Sequence, residues 1–148
     1  MNMEARVATV DDAGNLHALN ALFENNTTVD LLRKSLAEND REIACIAFAD
    51  GVPAGYCCGL IVKSMCYSES RADIEALYVK PEYRGRGIGK ALVKCLEKAL
   101  ANRGVRHFHV TTGAGNKNAL SMYEGLGYAK TGEVLLDKTI CEEDLCYF

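Results

Sequence analysis

Apolar and polar positions recur at two periods along this chain, one suited to strands and one to helices. Arg6-Val7-Ala8 reads as a short first strand. Asp11 and Asp12 open a stretch in which Leu16, Leu19, Leu22 and Phe23 stand at helical spacing. A second short helix is expected over Val29, Leu31, Leu32 and Leu36, with Thr27 and Asp30 as its capping pair. Two apolar runs, Ile43 to Ala49 and Tyr56 to Val62, flank Asp50-Gly51 and predict a β-hairpin. Ile74 to Val79 gives another strand. From Gly87 the pattern turns helical, with Ile88, Leu92, Cys95, Leu96, Ala99 and Leu100 on one stripe and Gly104 as the C-cap. Val105 to Thr111 predicts a strand and Lys117 to Leu126 a helix. Gly127-Tyr128 starts a closing strand through Leu136, and Ile140 to Phe148 adds a last one. The order β-α-α-β-β-β-α-β-α-β-β describes an α/β (α+β) mixed sheet with helices on its faces.

Composition narrows the class. The 148 residues suit one domain spanning 1–148, and 49% hydrophobic with 25% charged residues is the balance of a globular chain able to bury a core. No apolar run approaches the ~20 residues of a membrane span. Glu4 and Arg6 interrupt any signal-like stretch near the start, so a cytoplasmic protein with no membrane partner is expected. A formal net charge of -3 gives no reason to expect a nucleic-acid partner. The seven cysteines, at 45, 57, 58, 66, 95, 141 and 146, form no CxxC pair and have no histidine at ligand spacing. They read as reduced, small core hydrophobes, and no metal site is expected. With only His17, His107 and His109 available, no cysteine nucleophile finds a partner; His107 and His109 fall on what reads as an interior strand and look structural.

The basic residues Lys80, Arg84, Arg86 and Lys90 cluster where the strand ending Leu77-Tyr78-Val79 gives way to a helix. Pro81 blocks smooth continuation of the strand. Gly85, Gly87 and Gly89 follow and let a backbone wrap closely round a ligand, and the free N–H groups of a helix start favour an anion. Arg84 and Arg86 can add charge-assisted bonds to phosphate oxygens. Rival phosphate motifs do not fit. A Walker A loop needs glycine at 84 and Ser or Thr at 91, where Arg84 and Ala91 stand. The dinucleotide fingerprint needs a third glycine where Lys90 stands.

Arg84-x-x-Gly87-x-Gly89 after that strand resembles the acetyl-CoA signature of the GNAT superfamily of N-acetyltransferases. Asn116-x-x-Ala119-x-x-x-Tyr123-Glu124-x-x-Gly127-Tyr128 resembles the family's fourth-helix motif, one helix and one strand further on. The resemblance implies acetyl-CoA as cosubstrate and a mostly antiparallel central sheet flanked by about four helices. It implies that backbone groups of Leu77, Tyr78 and Val79 pair with the pantetheine arm like an added strand. Arg84, Gly85, Arg86, Gly87, Ile88, Gly89 and Lys90 would hold the pyrophosphate. Asn116 would bond near the pantetheine, and a backbone N–H of Val79 or Leu77 would polarise the thioester carbonyl.

Amine acetylation needs an unprotonated nitrogen. At pH 7 an alkylammonium with pKa near 10 pays roughly 4 kcal/mol to reach that state. A carboxylate near the acceptor can attract the ammonium and take its proton. Asp73 and Glu75 stand two apart on one strand and so share a face. The resemblance makes Glu75 the first choice of base and Asp73 the second, with Tyr123 as the acid that protonates the departing thiolate. It also places the acceptor pocket in residues about 15–40, 64–72 and 130–148, which carry Glu24, Asp30, Glu38, Tyr67, Glu69, Glu133, Asp137, Glu142, Glu143 and Asp144. Such acidity favours a small cationic amine, polyamine- or aminoglycoside-like, over a protein N-terminus or lysine. A silent acyl-CoA-binding module is the third reading, and it would need neither Tyr123 nor the paired carboxylates. Family dimers often form through the terminal strands, which makes Ile140 to Phe148 a candidate edge for a homodimer.

Overall fold

The computed structural model describes residues 1–24 and 26–145. Its first compact unit, Met1–Asn116, is built on a five-stranded sheet ordered β1-β2-β3-β4-β5. The strands are β1 (Met3–Val7), β2 (Glu42–Ala49), β3 (Val52–Val62), β4 (Arg71–Val79) and β5 (His107–Val110). All neighbours run antiparallel except β4 and β5, which are parallel. The Asp50-Gly51 hairpin is as expected, with φ of 49° and 80° at its two turn residues, the left-handed pair that two-residue hairpins require.

Helices α1 (Ala13–Ala21) and α2 (Val29–Glu38) lie against one face of this sheet. Leu16 and Leu19 of α1 pack with Ile46, Tyr56 and Tyr78. The cap of α2 is Thr28 rather than the expected Thr27; its hydroxyl accepts from the Leu31 N–H at 3.2 Å, one residue further along than the Thr27–Asp30 spacing suggests. The other face carries α3 (Ile88–Ala101), which buries Ile88, Leu92, Val93, Leu96 and Leu100. Gly104, at φ 90°, ends it in a Schellman turn in which Val105 N–H bonds Leu100 O and Gly104 N–H bonds Ala101 O.

Two bulges tune the sheet. Ala47 pairs with Gly55 but Phe48 with Pro53, leaving Ala54 extra in β3. Cys58 pairs with Ala76 but Gly59 with Ile74, leaving Glu75 extra in β4.

The second unit, from Lys117 onward, contains α4 (Lys117–Gly125) and the short α5 (Glu142–Leu145). Gly127, at φ 98°, closes α4 in another Schellman turn, with Tyr128 N–H bonded to Tyr123 O. The rings of Tyr123 and Tyr128 meet edge to face at 5.3 Å, the apolar contact that accompanies this cap.

Here the sequence expectations need correction. No strand forms between Tyr128 and Leu136, and residues 142–145 are helical, so the last two expected strands are absent among the described residues. Val134, Leu135 and Leu136 are adjacent rather than alternating apolar residues, and all are exposed, at 79%, 74% and 88%. A run without a period of two and without a partner strand has no face to bury and no ladder to join. The terminal strand edge considered for dimer formation is therefore not present in residues 142–145, and 146–148 lie outside the described residues. The cysteines also divide: Cys45 and Cys57 are buried as expected, but Cys66 and Cys141 are exposed, while Cys146 lies outside the described residues.

Candidate active site

The site is organised by the divergence of β4 from β5. Their parallel ladder pairs Arg71–Ile74 with His107–Val110, yet β4 runs on to Val79. Its edge from Glu75 to Val79 thus has no strand partner on that side among the described residues. Backbone N–H and C=O groups along such an edge seek an added extended segment. The side chains around it are already settled. Tyr78 is buried, stacked on Phe23 at 5.5 Å and set edge-on to Tyr56. Tyr56 O–H donates to Asn20 Oδ1 at 2.8 Å, and burial pushes its phenol well above the ordinary value. At Tyr78, only the backbone is left for a ligand.

Beyond Val79 the chain makes a single 3-10 turn at Pro81–Tyr83 and reaches Gly85 and Gly87 at φ of 76° and 84°. Gly87 is the N-cap of α3, and no side chain caps the helix. The first-turn N–H groups are therefore left without a side-chain acceptor, at the positive end of a helix dipole. Ile88 is buried, so it can contribute only its backbone. Arg84 folds back: its Nε donates to Val79 O at 2.8 Å and its guanidinium lies 5.7 Å from the Tyr78 ring centre. Its two terminal nitrogens face no acceptor among the described residues. Arg86 Nη1 reaches Met1 Sδ at 3.7 Å.

Two acidic residues, Glu42 and Asp73, share the sheet face that carries α1 and α2. Gly59 faces α3, since a Cβ there would stand 3.2 Å from Leu96 and Leu100, so Cys58 and Leu60 face the other way. Register then sets Glu42, Leu60, Asp73 and His109 in one row across the sheet. Asp73 Oδ1 accepts from Arg71 Nε at 3.1 Å and stands 3.8 Å from His109 Nδ1; Asp73 Oδ2 has no partner among the described residues. Glu75, the bulge residue, makes no hydrogen bond or ion pair among the described residues. Glu42 accepts from Ser35 O–H at 3.0 Å. Burial, then Glu42, then Glu75 push the Cys58 thiol up to about 12. Glu42 was not singled out from sequence; only its register with Leu60 and Asp73 reveals it.

Among the other expected residues, Glu24 is exposed and close enough to Tyr56 to raise its phenol, while Asp30 is tied to Arg33 at 3.1 Å. His107 and His109 are not interior: β5 is the sheet edge and His107 is exposed. Asn116 directly precedes α4, with its N–H bonded to Gly113 O at 2.9 Å. Tyr123 is buried, on α4. An open hollow of 320 Å³ between α2 and β2, lined in part by Leu36, Asn39, Ile43 and Arg103, includes none of the residues of the β4 edge.

A mixed five-stranded sheet whose one parallel pair parts midway is the fold of the acyl-CoA-dependent N-acyltransferases. The acetyltransferase (GNAT) family model matches residues 11–128, and the chain belongs to that family, whose cosubstrate is acetyl-CoA. Solved structures share the fold at low identity. AAC(6')-Iy in complex with the bisubstrate analog CoA-S-monomethyl-acetylneamine has a TM-score of 0.82 at 22% identity, over 95% of this chain and 100% of that one. An aminoglycoside acetyltransferase from an uncultured soil metagenomic sample gives 0.84 at 23%, over 95% and 100%. A ribosomal-protein-alanine N-acetyltransferase from Brucella melitensis biovar Abortus 2308 gives 0.76 at 17%, over 93% and 100%. No helix among the described residues is long and apolar enough to cross a membrane.

Proposed function

We propose that this enzyme acetylates a primary amine of a small cationic molecule, by direct attack of the amine on acetyl-CoA in a ternary complex. The observation that supports the acceptor class is the row that sets Glu42 and Asp73 on one face of the sheet, with Glu75 on the bulge where the open edge of β4 begins. The edge at Leu77–Val79 takes the pantetheine arm, and the glycine turn with the α3 start takes the pyrophosphate.

The carboxylates divide their work. Asp73 is held by Arg71 through one oxygen, which neutralises part of its charge and fixes its direction, leaving Oδ2 to receive the ammonium as an anchor. Glu75 has no cation on it and sits on the bulge, so it accepts the proton as nitrogen attacks. Tyr123 returns a proton to the leaving thiolate, and Asn116 bonds near the pantetheine. Residues 1–148 serve as one N-acetyltransferase domain in this reading.

The fold neighbours that are aminoglycoside acetyltransferases support a polyamine- or aminoglycoside-like acceptor. The test is incubation with acetyl-CoA and a panel of polyamines, aminoglycosides, amino acids and lysine peptides, read by mass spectrometry. Mass detection avoids the exposed thiols of Cys66 and Cys141, which would react with thiol reagents. Acetylated polycationic small amines are the expected product. Acetylated peptides alone would overturn the acceptor class, and no product at saturating acetyl-CoA would favour a silent binding module.

A further inference from the structure

We propose that His107 and His109 form a two-imidazole chelate for a borderline divalent transition-metal cation, of the Zn²⁺ or Ni²⁺ type, at the sheet edge beside Asp73. The two residues stand at i and i+2 on β5, so both side chains leave the same face. Their Nε2 atoms are 3.0 Å apart. Two nitrogens bound cis to one ion at about 2.0–2.1 Å each are separated by about 2.9–3.3 Å. In the structure one ring donates an Nε2–H to the other across this distance, and release of that one proton leaves both nitrogens at the spacing of a bidentate ligand.

A carboxylate stands behind one of the two rings. The Nδ1 of His109, opposite its Nε2, faces Asp73 Oδ1 at 3.8 Å, and that oxygen is itself held by Arg71 Nε at 3.1 Å. At 3.8 Å this is a charge contact rather than a hydrogen bond, and it sets a carboxylate on the side of His109 away from Nε2. His107 is exposed and the His109 side chain is 42% exposed, so water can reach the remaining coordination positions. No group of three or more His, Cys, Asp or Glu able to hold a metal exists among the described residues. The ion would therefore be exchangeable, completed by water rather than caged by protein.

The site has a consequence for catalysis. His109 pairs in register with Asp73, so a bound dication adds positive charge beside the carboxylate proposed to attract the acceptor. Such an ion competes with the amine and not with acetyl-CoA. This consequence rests on the acceptor reading above; the binding itself does not.

Untagged protein carrying Cys66→Ser, Cys141→Ser and Cys146→Ser, which removes competing thiols, is titrated with Ni²⁺ by calorimetry. One ion per chain is expected, with affinity lowered at least about tenfold by His107→Ala or by His109→Ala. Absence of binding, or binding unchanged in the double variant, would overturn the site. In steady-state assays Ni²⁺ should raise KM for the amine and leave KM for acetyl-CoA alone, and the histidine variants should lose that effect. Binding through the imidazoles with no change in amine KM would keep the chelate and count against the acceptor's placement beside Asp73.

Discussion

Arg6 and Asp12 show how a single pair fixes the entry to α1. Asp12 is buried and receives Arg6 through both oxygens, at 2.7 and 2.9 Å, with the Thr9 N–H at 2.8 Å. The Arg6 hydrogen bonds hold this carboxyl below the ordinary range, against an opposing push from burial. A carboxyl depressed in the folded state stabilises fully above its unfolded value, about 3.9, and loses that contribution as pH falls through the lower folded value. Asp12→Asn should therefore cost about 2 kcal/mol at neutral pH, with the gap to the parent closing below about pH 4; urea unfolding at several pH values checks this. At the site, Tyr123→Phe should lower kcat by about 100-fold or more and barely alter acetyl-CoA affinity. Glu75→Gln should depress kcat, whereas Asp73→Asn should act chiefly on KM for the amine; steady-state kinetics separate the two.

Among the elements, β3 and β4 approach each other tightly at Gly55. A Cβ on Gly55 would stand 2.6 Å from the backbone oxygen of Tyr78, while one on Gly14 in α1 meets nothing within 4 Å. Gly55→Ala should destabilise by about 1–3 kcal/mol through forced displacement of β4. Gly14→Ala should instead stabilise by about 0.5–1 kcal/mol. Denaturant midpoints of the two variants should move in opposite directions. The elements legible in sequence were those whose local pattern decides them: the Asp-Gly hairpin, the α3 stripe with its glycine cap, and the glycine turn before it. The bulge at Glu75 was not legible, because it arises from the pairing of Cys58 with Ala76 and Gly59 with Ile74, and pairing across strands leaves no local trace. The same blindness hid Glu42 and put His107 and His109 inside the sheet rather than at its edge. After Tyr128, apolar content alone suggests strands, and without alternation or a partner none forms among the described residues.

At the scale of the molecule, the cosubstrate slot proposed above runs along β4 to the α3 start. Ligand that binds only the folded state adds about 2.7 kcal/mol at a hundred times its Kd. For a chain of this length that should raise Tm by roughly 5–10 °C with acetyl-CoA, and much less with ATP or NAD, in scanning calorimetry. The most direct test of the slot is amide hydrogen exchange with and without saturating acetyl-CoA. Slowed exchange is expected at the β4 edge, Leu77 to Val79, and in the first turn of α3, Ile88 to Ala91, with β1 and β2 unchanged. Saturated binding that left both of those stretches exchanging at their free rate would contradict it.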